Sequence, residues 1–70
     1  MKKIGVLIYN EDGRMDIRFS LVEYYGGLHC GTCMDVLICE EWISTRIEKG
    51  DDWYLVGIKT ERLEGLVVKI

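Results

Sequence analysis

An unbroken alternation of polar and apolar residues over 14–21 is the feature of this sequence that most constrains its fold. The stretch reads RMDIRFSL, so that Met15, Ile17, Phe19 and Leu21 recur at every second position. Successive side chains of a β-strand point to opposite faces of the sheet. The period of two therefore predicts a half-buried strand with these four side chains directed inward.

Other stretches rich in β-branched and aromatic residues predict further short strands. The segment 4–9 is a predicted strand. It is joined to the strand over 14–21 by Asn10-Glu11-Asp12-Gly13, in which Gly13 can adopt a positive φ. This turn sequence predicts a hairpin. Thr60 and Gly65 can begin and end a single helical or 3₁₀ turn. The remaining predicted strands cover residues 34–39, 42–48, 53–58 and 66–70.

This order of elements predicts one all-β domain over residues 1–70. By analogy of fold, we expect a small five- to six-stranded SH3-like barrel with a one-turn 3₁₀ helix before the last strand. Closure of the sheet would remove exposed strand edges. A competing interpretation makes 34–49 a helix with Cys30 and Cys33 at its N-terminus, as in a thioredoxin-like redox site. The β-branched residues of that segment disfavour a helix.

Charge and hydropathy patterning make several kinds of partner poor candidates. The net charge is −3, with nine basic and twelve acidic residues mixed along the chain. Because phosphate binding favours a basic face, we expect no nucleic-acid partner. The apolar run over 4–9 is too short for a signal peptide or a membrane span, so we expect no membrane association. We therefore expect a cytoplasmic protein. In that reducing compartment, three cysteines, an odd number, argue against a disulfide framework.

The segment 26–33, GGLHCGTC, has the residue types of a metal or redox site. Cys30 and Cys33 supply half of a zinc ligand set. On a strand, Cys33 and Cys39 would lie roughly 20 Å apart, too far to share one ion. We therefore predict no metal and no cofactor, with Cys39 as a small core residue and His29 as a hydrogen-bonded loop residue. The glycines are expected to form turns with positive φ, and an anion-binding nest is the alternative.

The aromatic residues are the best candidates for a binding surface. Tyr24 and Tyr25, like Trp53 and Tyr54, are neighbours, so on a strand one of each pair would face solvent. Exposed aromatic side chains anchor peptides or bases. Acidic residues near the first hairpin could select a basic peptide. The predicted partner-binding residues are Tyr9, Asp16, Tyr24, Tyr25, His29, Trp42 and Tyr54.

Four short motifs carry a resemblance to a known family: GGLHCG at 26–31, TRIE at 45–48, DWYLVG at 52–57 and LEGLVVKI at 63–70. A fifth motif is NEDGRMDI at 10–17. With these motifs, the chain resembles short uncharacterised proteins of Gram-positive bacteria, their phages and mobile elements, which are classified as a domain of unknown function. The resemblance spans nearly the whole chain. It implies a stand-alone small β domain without an assigned activity, cofactor or catalytic residue. Because the family pattern does not reliably include the second loop cysteine, it also implies that Cys33 is incidental.

The sequence thus favours a non-enzymatic protein-interaction module that binds an unidentified protein partner through an aromatic surface. One alternative is a ligand-sequestering protein, such as a phage counter-defence factor that holds a small nucleotide. A second is a metal- or thiol-dependent regulator that uses Cys30, Cys33 and His29. A nucleic-acid accessory factor is disfavoured by the charge. A homodimer is also expected, because pairing would bury more of the surface of so small a domain.

Overall fold

The computed structural model describes residues 2–70, which form a six-stranded antiparallel sheet without helices. The spatial order of the strands is β2-β1-β6-β3-β4-β5. The all-β prediction is confirmed. No helix within residues 2–70 is long and apolar enough to cross a membrane. The strands are β1 (Ile4–Tyr9), β2 (Met15–Arg18), β3 (Cys33–Ile38), β4 (Glu41–Lys49), β5 (Trp53–Leu55) and β6 (Val67–Lys69).

Strand pairing confirms the predicted first hairpin and rules out the helical alternative. β1 pairs with β2 from Val6↔Arg18 to Tyr9↔Met15. In the turn between them, the side-chain oxygen of Asn10 accepts the backbone N–H groups of Asp12 and Arg14 at 3.0 and 3.1 Å. Gly13 has a φ of +75°. The competing helical interpretation of 34–49 is wrong and the predicted strands are present, because β3 and β4 pair in register over six residues.

The core lies on the inner face of the sheet and is built from the alternating positions of the strands. The buried apolar residues are Leu7, Met15, Ile17, Leu28, Met34, Val36, Ile47, Leu55, Leu63 and Val68. Phe19 packs against this core while remaining partly exposed. The prediction that Leu21 faces inward is wrong, since its side chain is 81% exposed. β2 ends at Arg18, and the Phe19 N–H donates to the Glu23 carbonyl in a turn that directs the chain away from the core.

The sheet is not closed, so the predicted barrel is not confirmed. β2 and β5 are its edge strands. Residues 24–28 cover the outer edge of β2, where the Tyr25 N–H donates to the Ile17 carbonyl and the Leu28 N–H donates to the Met15 carbonyl, both at 2.8 Å. This loop thus pairs some of the edge backbone groups of β2, which closure of the sheet would have paired with another strand.

The predicted 3₁₀ turn before the last strand is likewise not confirmed. The Thr60 hydroxyl accepts the N–H of Arg62 at 3.4 Å and donates to the Arg62 carbonyl at 2.9 Å. Gly65 has a φ of +96°. Thr60 thus accepts the N–H two residues later, as a cap residue does, but its hydroxyl also bonds the Arg62 carbonyl and the segment up to Gly65 is irregular.

The connection between β3 and β4 is a two-residue turn formed by Cys39 and Glu40. Because Ile38 pairs with Glu41, only these two residues remain to reverse the chain. Their φ angles are +49° and +67°. The prediction of Cys39 as a buried strand residue is therefore wrong, and its thiol is exposed. Two-residue turns with positive φ at both positions strongly favour Asn-Gly.

We expect the double substitution Cys39→Asn with Glu40→Gly to stabilise the protein. Relief of positive φ at two non-glycine positions should raise the free energy of unfolding by about 1–2 kcal/mol. Urea denaturation followed by circular dichroism measures the change. Cys39→Ser is the control, because it removes the thiol and leaves the backbone strain in place. Equal stability of the double variant and this control would contradict the prediction.

Candidate functional site

A pocket of about 260 Å³ opens between β5, the end of β1 and residues 58–64. Three carboxylates and one guanidinium are among its lining groups, so we call it the acidic pocket. Three aromatic residues from two strands, Tyr9, Trp53 and Tyr54, also line it. The lining residues are Tyr9, Asp52, Trp53, Tyr54, Leu55, Ile58, Thr60, Glu61, Arg62, Leu63 and Glu64.

Hydrogen bonds between two distant hairpin turns bring the walls of the acidic pocket together. The Trp53 indole N–H donates to the Gly13 carbonyl at 3.3 Å, which ties β5 to the turn between β1 and β2. The Tyr9 hydroxyl donates to Asp52 Oδ1 at 3.3 Å. The same oxygen accepts the backbone N–H of Trp53 at 2.8 Å. One carboxylate thus orients the phenol ring and the start of β5.

The electrostatic field in the acidic pocket is negative. The pKa of Tyr9 is raised, first by burial and then by the Asp52 carboxylate, with a smaller contribution from Glu64. Burial disfavours any charged group, whereas the negative charges of Asp52 and Glu64, which also raise this pKa, would favour a cation. Arg62 Nη2 lies 3.5 Å from Glu64 Oε1, and both side chains are well exposed. Among the described residues, Asp52 and Glu61 have no salt-bridge partner within 4.0 Å.

This combination of aromatic rings and carboxylates can hold an ammonium or guanidinium group. Cations are attracted to the faces of tryptophan and tyrosine rings. One such contact already exists beside the pocket, where Lys49 Nζ lies 5.2 Å from the centre of the Trp53 ring. The side chains of Tyr9 and Tyr54 are 38% and 48% exposed, so their rings remain accessible to a ligand.

The structure distributes the sequence-predicted aromatic residues over several regions. Tyr9 and Tyr54 meet in the acidic pocket. Tyr24 and Tyr25 are exposed on the segment that covers β2. Trp42 lies on the outer face of the sheet, with Lys69 Nζ 4.3 Å from the centre of its ring. The single aromatic surface that the sequence predicted is therefore divided, and only two of these residues share a pocket.

Asp16, predicted as a partner-binding residue, is buried and holds a loop in place. Only 7% of its surface is exposed. Its Oδ1 accepts the backbone N–H groups of Ile17, Gly26 and Gly27 at 2.7, 3.0 and 2.9 Å. The glycines have φ angles of +105° and +102°, which confirms their predicted turn role. These N–H groups converge on an anion within the chain, the Asp16 carboxylate, so they are not free to bind an anionic ligand.

The GGLHCGTC segment contains one tight turn, in which the Thr32 N–H donates to the His29 carbonyl at 3.1 Å. Gly31 has a φ of +90°. The Thr32 hydroxyl donates to the His29 carbonyl at 2.8 Å and accepts the His29 N–H at 3.2 Å. Cys30 and Cys33 are free and exposed. Within residues 2–70, no three His, Cys, Asp or Glu side chains are placed to hold a metal ion.

Sequence reasoning missed most of the acidic side of the pocket. Asp52, Glu61 and Glu64 were not among the predicted site residues, although all three line it. A usable signal was the acidic turn before Trp53. The contribution of residues 60–64 had no comparable signal, because it depends on how that irregular segment folds back against β5.

Comparisons with known proteins identify relatives without a described activity. A family model described as "Domain of unknown function (DUF5348)" matches residues 5–70. A crystal structure of a protein from Ruminococcus gnavus is similar over 97% of this chain and 100% of that chain, with 54% sequence identity and a TM-score of 0.92. No curated protein matches the sequence.

Proposed function

The chain belongs to the family described as Domain of unknown function (DUF5348), and from that premise we propose that it is a non-enzymatic protein-interaction module. Its acidic pocket holds a lysine or arginine side chain of a protein partner. The observation that carries this proposal is the meeting of Tyr9, Tyr54 and Asp52 in one pocket with a negative field.

Size supports a side chain as the ligand. The volume of about 260 Å³ lies below the roughly 300–1,000 Å³ that is typical of pockets for complete small molecules. A lysine or arginine side chain brings a long apolar stem and a charged end. Its stem can pack along the rings, while the charge faces the carboxylates. The acidic pocket offers both kinds of surface.

Position supports an extended segment of a partner as the source of that side chain. The pocket lies beside β5, which is an edge strand of the sheet. Extended peptides commonly bind along sheet edges, where backbone contacts give affinity and pockets for alternate side chains give specificity. β5 has only three residues, so the acidic pocket would supply most of the selectivity.

We also propose that the fold is SH3-like and that the protein is cytoplasmic. An SH3-like comparison is supported by the six short antiparallel strands and by the Trp53–Gly13 hydrogen bond, which joins β5 to the first hairpin. A cytoplasmic location is supported by three free, exposed cysteines, which suit a reducing compartment.

We expect the amides of Nα-acetyl-arginine and Nα-acetyl-lysine to bind the acidic pocket, and the amide of Nα-acetyl-glutamine not to bind. A titration followed by ¹H–¹⁵N NMR should shift the Trp53 indole signal and the backbone signals of 52–55. Tyr54→Ala should weaken binding about tenfold, since loss of a cation–aromatic contact costs on the order of 1.4 kcal/mol. Asp52→Asn should weaken it through the loss of one negative charge.

Tyr25→Ala is the matched control for Tyr54→Ala. The two tyrosines are similarly exposed, at 44% and 48%, and Tyr25 lies outside the acidic pocket. Its replacement should leave the dissociation constant unchanged. Equal shifts with the glutamine derivative, or shifts confined to residues outside the pocket, would contradict the proposal.

A further inference from the structure

The sheet presents a second apolar face toward solvent. In β1, Gly5 and Leu7 are buried, so the alternate residues of this strand point outward. Two cross-strand pairs extend this apolar surface, Val6 with Val67 and Leu37 with Trp42. The outer apolar face consists of Ile4, Val6, Ile8, Leu37, Trp42 and Val67.

A groove and an exposed loop tip continue the outer apolar face beyond β1. The groove has a volume of about 410 Å³ and is lined by Val6, Ile8, Arg18, Phe19, Ser20 and Leu21. Leu21 and Val22, which we call the apolar tip, are 81% and 89% exposed. Exposing two neighbouring aliphatic side chains to water costs free energy. Contiguous apolar patches on small proteins mark interaction sites.

Two of the charged groups on this face form a salt bridge with each other, and a third lies over an aromatic ring. Lys2 Nζ lies 2.8 Å from Asp35 Oδ2, and the Ser44 hydroxyl donates to Asp35 Oδ1 at 3.0 Å. Accordingly, the pKa of Asp35 is lowered, chiefly by its hydrogen bond with Lys2. Lys69 lies over the ring of Trp42. Arg18, in the adjoining groove, has no carboxylate within 4.0 Å among the described residues, and its Nε donates to the Ser20 carbonyl at 3.2 Å. The apolar residues of the face therefore suit an apolar partner surface that leaves Arg18 at its margin.

We propose that the outer apolar face packs against the same face of a second copy of this chain about a two-fold axis. A two-fold interface brings identical patches together, so each must be self-complementary. A face of six apolar residues, with the Lys2–Asp35 pair beside it, meets that condition. Two sheets can pack face to face at a distance of about 10 Å, with their outward side chains interdigitated.

The area needed by a stable dimer brings the apolar tip into the interface. Four strands about 4.8 Å apart and up to about six residues long span roughly 19 by 20 Å. A stable interface buries about 800 Å² per partner, or about one sixth of the 4901 Å² that this chain exposes. The sheet face alone falls short of that area. The proposed interface therefore includes the apolar tip and its groove.

Dimerisation by this face leaves the acidic pocket free. None of the residues that line the acidic pocket belongs to the outer apolar face, the groove or the apolar tip. The dimer would therefore present two acidic pockets. A partner with two basic side chains at suitable spacing would gain from binding both at once.

Sedimentation velocity from 1 µM to 1 mM tests the proposal. We expect a concentration-dependent species with twice the mass of the chain. Leu21→Asp with Val22→Asp should weaken dimerisation at least 30-fold, because it places two charges in the apolar contact. Both positions are almost fully exposed, so folding should be unaffected, which circular dichroism checks. Val6→Asp, at the centre of the outer apolar face, should weaken dimerisation further.

Lys59→Glu is the matched control, since it also changes the net charge by two negative units. Lys59 lies outside both the acidic pocket and the outer apolar face, and its replacement should leave the dimer intact. A monomer at every concentration overturns the proposal, and the outer apolar face would then bind a partner other than a second copy of this chain. A dimer that withstands the tip variant, or that Lys59→Glu weakens equally, overturns it as well. None of these outcomes depends on ligand binding in the acidic pocket.

Discussion

We expect Gly5→Ala to lower the free energy of unfolding by about 3 kcal/mol, the cost of forcing a methyl group into a closely packed strand interface. A Cβ at this position would lie 2.5 Å from Ile17 Cγ2, 2.7 Å from the Arg18 carbonyl oxygen and 2.8 Å from Phe19 Cδ1. The Arg18 oxygen belongs to the backbone of β2 and cannot move without disturbing the β1–β2 ladder. Chemical denaturation with urea measures the loss.

Gly50→Ala provides the matched control for that substitution. Gly50 is not among the glycines with positive φ, and the nearest atom to an added Cβ is Tyr54 Cε1, at an ordinary contact distance of 3.7 Å. Its replacement should change stability by no more than about 0.5 kcal/mol, with a slight gain because alanine reduces the entropy of the unfolded chain. If Gly5→Ala were as mild as this control, β1 and β2 would be able to separate more easily than their packing indicates.

Asp16→Ala should cost about 3 kcal/mol, because it removes one buried acceptor from three backbone donors. The carboxylate oxygen receives the N–H groups of Ile17, Gly26 and Gly27. Gly27 is itself buried, so water cannot readily replace the lost partner. The segment that covers β2 should loosen at the same time. Hydrogen exchange should therefore accelerate at Gly26 and Gly27 more than at the centre of β3.

Two further variants separate the hydrogen bonds of Asp16 from its charge. Asp16→Asn keeps a side-chain oxygen that can accept the same N–H groups, so we expect it to lose less stability than Asp16→Ala. Asp12→Ala removes a carboxylate from an exposed turn and should change stability by less than about 0.5 kcal/mol. A loss from Asp12→Ala equal to that from Asp16→Ala would show that net charge, rather than the buried hydrogen bonds, sets the stability.

Local sequence patterns predicted the presence of the strands more accurately than the residues at which they end. β1 was predicted over the residues it occupies, because an apolar run and a turn sequence bound it on both sides. β2 was predicted to continue to Leu21 but ends at Arg18. The alternation continues through residues 19–21, yet the backbone there pairs with Glu23 instead of β1. Periodicity reports where side chains could point and does not report whether a neighbouring strand is present.

The candidate site was only partly predictable for a related reason. Tyr9 and Tyr54 were identified as exposed aromatic residues, which an amphipathic strand pattern reveals. Their meeting in one pocket depends on the Trp53–Gly13 and Tyr9–Asp52 hydrogen bonds, each spanning about forty residues of chain or more. Asp16 was placed on the surface because a carboxylate usually lies there. Its burial depends on the two glycines, which turn their N–H groups toward it.

The sequence by itself determined an antiparallel all-β domain, the first hairpin and the need for glycine in the 26–31 loop. Those features follow from side-chain alternation and from the φ angles that glycine permits, which are local properties of the chain. Only the tertiary structure decided that the sheet stays open, that Asp16 anchors a loop, and that aromatic and acidic groups form one pocket. These outcomes depend on contacts between residues far apart in the chain, which exist only after the sheet has curved and its loops have packed against it.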